Sequence, residues 1–207
     1  MGRISDITLT NQAEQRIISI KTETTLKNMQ TKIEDCREKI LTYLNLLEEL
    51  PAGPCFTIYY SFTKQNVEIE VGYPIAKMLP PQDDIRMSII PAGKRISCLN
   101  IGPYNEIPKI YQEMDQWLAV HDFETNGISH ETYYNGGGFT PQEYLTKIEL
   151  PIQEADEPKK KKKNYSYKKA SRRIDGSTFL ERKKICNKTN SQQWRKTRWV
   201  LCPSTSY

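Results

Sequence analysis

The sequence predicts an α+β domain in which two copies of a strand–helix–strand–strand unit form one antiparallel sheet, with the helices on one face. The main observation is an internal repeat. Residues 57–60 read Thr-Ile-Tyr-Tyr and residues 131–134 read Glu-Thr-Tyr-Tyr, and the flanking segments also correspond, residues 15–20 with 94–99 and residues 67–75 with 144–152. The offset stays between 74 and 79 residues, as expected for a duplicated unit, here with a pseudo-twofold axis between its copies.

The first copy shows its elements through hydrophobic periodicity. Alternating apolar and polar residues predict strands over residues 4–9 and 16–24. Apolar residues then recur at spacings of three and four, which predicts a helix with one apolar face: Ile33, Cys36, Ile40, Tyr43, Leu44 and Leu47. Prolines at 51 and 54 end it, and residues 56–62 and 67–73 predict two strands joined by a hairpin.

The second copy follows a proline-bearing link at residues 77–84 and a further strand at 85–90. Strands are predicted over residues 94–101, 128–135 and 144–150, with a Gly-Gly-Gly loop before the last. The helix between the first two has its own apolar stripe: Ile107, Ile110, Tyr111, Met114, Trp117 and Leu118. The order of elements therefore repeats that of the first copy.

Composition excludes several classes of function. No run of about 18 apolar residues exists, and the N-terminus lacks the apolar core of a signal peptide. The five cysteines form no Cys-x-x-Cys pair, which is typical of reduced thiols, and there are only two histidines. We therefore expect a cytoplasmic protein without a metal site, a cofactor or a membrane partner.

Charge divides the chain into two parts. Residues 159–207 carry 16 basic and 2 acidic residues, whereas the preceding 158 residues carry a net charge of −9. We expect a domain over residues 1–153 and a basic, disordered tail over 154–207, because the tail lacks a sustained apolar period. Its basic and aromatic stretch at 159–173 offers at most weak binding to nucleic acid. Whether the tail is functional, a linker or the product of a reading-frame slip at its five lysines stays open.

Side-chain alternation along the two central strands suggests a groove. Phe56, Ile58 and Tyr60 are apolar enough to cover a helix, so we expect Thr57 and Tyr59 on the other face. Their counterparts Glu131 and Tyr133 would meet them in a groove between the halves, together with Glu68 or Glu70. Aromatic rings and a carboxylate suit a lipophilic cation. The alternative is a glutamate that is solvated at a sheet edge.

Taken together, residues 4–153 resemble the GyrI-like small-molecule-binding domain, also found as the effector-binding module of bacterial transcription activators. The resemblance rests on the order and spacing of several segments: residues 51–54, 67–74, 91–93, 101–105, 131–135 and 144–151. It implies a ligand cleft between the halves that binds cationic, aromatic compounds around a buried glutamate.

Carried over to this chain, that glutamate is Glu131, and the expected walls of the cleft are Tyr59, Tyr104 and Tyr133. The acidic residues Glu70 and Glu149 complete the expected ligand-binding set, and Trp117 is expected in the core. The sequence departs from the pattern at Lys147, where members often carry an acid, and at the loop of residues 136–138. A lysine there could pair with Glu131 or Glu149.

Three functions are consistent with these residues. The favoured one is a stand-alone protein that sequesters or senses amphipathic cations, since no helix-turn-helix domain precedes residue 4. The second is a hydrolase of strained, cyclopropane-bearing compounds, as some relatives are, with Glu131 as general base and Tyr133 polarising the leaving group. The third is an inhibitor that binds a protein partner such as DNA gyrase. The residues do not separate a catalytic carboxylate from a counter-ion.

Overall fold

The computed structural model describes residues 2–63 and 65–154. Strand β1 spans Thr8–Gln12, and the first repeat follows as β2 (Gln15–Thr24), helix α1 (Met29–Leu46), β3 (Cys55–Phe62) and β4 (Val67–Pro74). The predicted elements of this repeat are confirmed, although the first strand lies at Thr8–Gln12 rather than at residues 4–9. The predictions for the tail concern residues outside the described part of the chain.

The second half begins with β5 (Arg86–Ile90) and continues as β6 (Gly93–Ile101), helix α2 (Ile107–Val120), β7 (Phe123–Thr125), β8 (Ser129–Tyr133) and β9 (Leu145–Glu154). A 3-10 turn at Tyr104–Glu106 leads into α2, and Pro108 lies in the first turn of the helix, where its missing N–H costs no hydrogen bond. The short strand β7 has no counterpart in the first repeat.

All strand pairs are antiparallel, in the order β1-β6-β9-β8-β3-β4-β2-β5, with β7 also pairing with β9. The two repeats meet at the central pair of β3 and β8, where Thr57 lies directly opposite Glu131. These two residues are also equivalent in the sequence repeat. An antiparallel pair places equivalent residues opposite one another only at a twofold axis, so the pseudo-twofold axis passes between Thr57 and Glu131.

Both helices pack on the same face of this sheet. Cys55 and Tyr59 of β3 belong to the cluster around α1, and Ile148, opposite Glu131 on β9, belongs to the cluster around α2. The other face carries a smaller apolar cluster that includes Phe56 and Ile58. The prediction that Phe56 and Ile58 face a helix is therefore wrong. Because residues 55–59 are buried on both faces, apolar content does not distinguish the helix side.

The described helices include none that is long and apolar enough to cross a lipid bilayer. Cys36, Cys55 and Cys98 are buried free thiols. Residues 2–63 and 65–154 hold no group of three or more His, Cys, Asp and Glu side chains placed to bind a metal ion.

Candidate ligand site around Glu131

Glu131 is enclosed at the centre of the helix-bearing face and is only 6% exposed. The Tyr111 hydroxyl donates a hydrogen bond of 2.9 Å to Oε1, and the Tyr133 hydroxyl donates one of 3.1 Å to Oε2. The Tyr59 hydroxyl lies 3.5 Å from Oε2 and 3.1 Å from the Tyr133 hydroxyl. Three tyrosines thus surround one carboxylate.

These tyrosines come from three different elements. Tyr59 lies on β3 two residues after Thr57, and Tyr133 lies two residues after Glu131, so strand alternation brings both to the same face. Tyr111 belongs to the apolar stripe of α2 and is 4% exposed. The sequence predicted Tyr59 and Tyr133 beside Glu131, and the structure brings them together, but on the helix-bearing face rather than the opposite one.

The electrostatics of this cluster are unusual because the described residues provide no positive partner. No described lysine or arginine lies within 4 Å of the Glu131 carboxylate. Burial raises the pKa of Glu131 above its ordinary value of 4.5, and the tyrosine hydrogen bonds partly oppose that rise. Burial and the nearby carboxylate raise the pKa values of Tyr59, Tyr111 and Tyr133 well above 10. The tyrosines are therefore neutral donors.

A row of tyrosine side chains leads from the buried carboxylate to the surface. Tyr104 contacts Tyr133 edge to face at 5.6 Å between ring centroids and stacks on Tyr144 at 5.0 Å. Tyr104 is 37% exposed, and burial raises its pKa to about 12. The predicted wall residue Tyr104 thus lies next to the cluster, at its solvent side.

Two buried polar residues lie on the same face and were not predicted. Asn100 and Thr146 are cross-strand partners on β6 and β9, and Thr146 is also opposite Tyr133. Both amide atoms of Asn100 and the Thr146 hydroxyl are buried without a hydrogen-bond partner among the described residues. Strand alternation could have indicated Asn100 from the sequence, because it lies on the same face of β6 as the core residues Ile96 and Cys98. Such unpaired polar groups are costly in a core and are rare in native structures, so their position on the face of Glu131 calls for an explanation.

Glu70 and Glu149 do not lie in this site. Each directly follows a residue of the helix-side core, Ile69 or Ile148, so alternation turns its side chain to the opposite face. There Glu70 accepts hydrogen bonds from the hydroxyls of Ser19, Tyr60 and Ser88. The prediction that both acids line the groove with Glu131 is therefore wrong, as is the same prediction for Glu68, which pairs with Lys21 at 2.9 Å.

The sequence allows either Glu131 or Glu149 as the partner of Lys147, and in the structure the partner is Glu149. Its Nζ lies 2.9 Å from Oε1 of Glu149, on the face opposite Glu131. Lys147 therefore does not neutralise the buried carboxylate. Trp117 packs beside the α2 core and stacks with His121 and Phe123, as expected for a structural residue.

Solved structures with similar folds include three types of protein. The EcmrR C-terminal domain is similar with a TM-score of 0.61 at 17% identity over 73% of this chain and 99% of that one. SAV2435 bound to tetraphenylphosphonium is similar with a TM-score of 0.53 at 12% identity over 72% and 94%. A hydrolase from Listeria innocua is similar with a TM-score of 0.55 at 10% identity over 71% and 91%.

EcmrR in its complex with DNA is longer, and this chain covers 58% of it at 17% identity and a TM-score of 0.62. At these identities the likeness shows the fold alone. A comparison with curated protein sequences found no match. The model of the GyrI-like small molecule binding domain matches residues 5–153. This chain therefore belongs to the GyrI-like small-molecule-binding domain family.

Proposed function

We propose that this protein binds amphipathic organic cations at Glu131, and that it acts by sequestering or sensing them. The observation that carries the proposal is a buried carboxylate that has three tyrosine hydroxyls and no basic side chain around it in the described residues. A buried anion without a counter-charge is costly, and a cationic ligand would offset that cost.

The tyrosines suit such a ligand in two ways. Their rings attract a cation by about 2 kcal/mol when the site is desolvated. Their hydroxyls hold the carboxylate in place before the ligand arrives, so less ordering is needed on binding. We expect a ligand to approach the carboxylate from the side of Tyr104, where the cluster meets solvent.

The test is a calorimetric titration of the full chain with tetraphenylphosphonium, the compound bound to SAV2435, and with neutral triphenylphosphine oxide. A charge pair about 4 Å apart is worth up to about 4 kcal/mol at an effective dielectric constant of 20, and each 1.4 kcal/mol is tenfold in affinity. We expect the cation to bind at least about tenfold more tightly than the oxide, and Glu131→Gln to abolish that preference.

Glu149→Gln is the matched control, because it removes a carboxylate from the opposite face and should leave the preference intact. Equal binding of both compounds by the native chain would contradict the proposal. Equal losses in Glu131→Gln and Glu149→Gln would also contradict it, since net charge would then explain the effect.

A second candidate function uses the same carboxylate as a general base. The raised pKa of Glu131 and the adjacent Tyr133 hydroxyl favour it. The substrate class would be strained, cyclopropane-bearing compounds, with water as the nucleophile. Turnover that is lost in Glu131→Gln would support hydrolysis, whereas saturable binding without turnover would leave binding alone.

A further inference from the structure

A cavity of about 310 Å³ lies on the sheet face opposite Glu131. Its apolar walls include Ile17, Ile58 and Ile90, and its polar lining includes Arg95 and His130. Strand alternation explains the location, because His130 and Glu131 are adjacent on β8 and point to opposite faces. The volume lies at the lower end of the range of about 300–1,000 Å³ for ligand pockets, so the cavity suits a small molecule.

Arg95 is a buried cation beside this cavity. It is 4% exposed, and its Nη1 lies 2.9 Å from Nδ1 of His130. Its Nε has no hydrogen-bond partner among the described residues, and no described carboxylate lies within 4 Å of the guanidinium. Burial lowers the pKa of Arg95, and the charge of Glu149 opposes that change. An arginine nevertheless stays protonated in proteins.

His130 supplies no counter-charge. Since arginine only donates hydrogen bonds, Nδ1 of His130 accepts, and the neutral imidazole carries its proton on Nε2. Burial and the charge of Arg95 lower the pKa of His130 to about 3. Near neutral pH the Arg95–His130 pair therefore has a net positive charge.

The acids in this region have other partners. Glu70 also lines the cavity, but it is held by the hydroxyls of Ser19, Tyr60 and Ser88. Glu149 forms an ion pair with Lys147, whose Nζ lies 2.9 Å from its Oε1. The buried guanidinium thus has no carboxylate within 4 Å among the described residues and interacts with Glu149 only at longer range, which is costly in a core.

We propose that this cavity binds a small organic carboxylate, which pairs with the Arg95 guanidinium and places its apolar body against Ile17, Ile58 and Ile90. The forked geometry of arginine matches a carboxylate. This site is separate from the cation site, so one domain would bind ligands of opposite charge on the two faces of its sheet.

The test uses the two histidines of the chain as local probes. Full-length protein labelled with ¹³C in its histidine rings is titrated at pH 7.5 with phenylacetate, with neutral phenylacetamide and with inorganic phosphate. We expect phenylacetate to shift the His130 resonance saturably and to leave His121, at the exposed end of α2, unmoved. Phenylacetamide and phosphate should each bind at least tenfold more weakly, since one lacks the charge and the other the apolar body.

Two variants keep the test decisive even if one fails to fold. Arg95→Met removes the guanidinium, and Ala92→Phe, at an exposed position on the cavity lining, fills the space while Arg95 stays. Each should weaken phenylacetate binding at least tenfold, and Glu131→Gln should not. The proposal is overturned if phenylacetate fails to shift His130, if the amide binds equally well, or if a folded variant binds like the native chain.

Discussion

Replacing Tyr111 by phenylalanine tests whether Glu131 is charged and held by neutral donors. The variant removes one hydroxyl that donates to Oε1 at 2.9 Å and leaves the ring in the α2 core. A hydrogen bond to a charged group contributes about 1.5–3 kcal/mol, whereas one between neutral groups contributes about 0.5–1.5 kcal/mol. At pH 8 the free energy of unfolding should therefore fall by about 1.5–3 kcal/mol.

The same substitution in a Glu131→Gln background should cost only about 0.5–1.5 kcal/mol, because the acceptor is then neutral. From the middle of the two ranges, the coupling energy of this double-mutant cycle is about 1 kcal/mol at pH 8. It should shrink as the pH falls through the raised pKa of Glu131, since the carboxyl group becomes protonated.

Urea denaturation followed by circular dichroism measures each free energy of unfolding. Tyr43→Phe is the control, because the Tyr43 hydroxyl donates to the Pro80 carbonyl and no carboxylate in the described part of the chain accepts from it. Its cost should not depend on pH. A cost of Tyr111→Phe that is identical in the native and Glu131→Gln backgrounds at every pH would refute the reasoning.

Three further predictions concern stability. Burial raises the pKa of Glu131 in the folded state above its ordinary value of 4.5. Protonated Glu131 therefore contributes its full free energy of folding below pH 4.5, and this contribution is lost as the pH rises through the folded-state pKa. Glu131→Gln should therefore melt above the native chain at alkaline pH in thermal circular dichroism. Gly72→Ala should cost about 1–3 kcal/mol in urea denaturation, since a Cβ there would lie 2.5 Å from a backbone oxygen. Gly137→Ala, with nothing within 4 Å, should change stability by less than about 0.5 kcal/mol; equal effects would contradict this packing. Asn100→Leu should raise the free energy of unfolding by about 1–3 kcal/mol, because it removes a buried unpaired amide, whereas Asn135→Leu, which loses two hydrogen bonds, should lower it.

Local patterns were enough to predict the elements and their duplication. The apolar stripe from Cys36 to Leu44 and the alternation in β2 depend only on neighbours along the chain. The repeat also placed Glu131 and Tyr133 in equivalent positions to Thr57 and Tyr59. It did not reveal that Thr57 and Glu131 are directly opposite each other, because register depends on the pairing of β3 with β8.

The face that carries the helices is set by tertiary packing, and Phe56 and Ile58 are buried on the face without helices. The positions of Glu70 and Glu149 depended on register instead, because they lie opposite Ile58 and His130 and therefore on the face away from Glu131. The sequence predicts Tyr111 only as part of the apolar stripe of α2. Its hydroxyl donates to Glu131, which is 20 residues away, and helix periodicity does not reveal such a contact. Arg95 and His130 are 35 residues apart and come together because β6 and β8 both pair with β9. The predictions of a protein partner and of weak nucleic-acid binding by the tail remain untested.

The most direct measurement is the pH dependence of tetraphenylphosphonium affinity, determined by calorimetry of the native chain and of Glu131→Gln. Deprotonated Glu131 is the form that attracts a cation, so the affinity of the native chain should rise with pH through the raised pKa of Glu131 and then level off. The variant should bind weakly at every pH. An affinity that is independent of pH in the native chain, or equal in the two proteins, would contradict the assignment of Glu131 as the counter-charge.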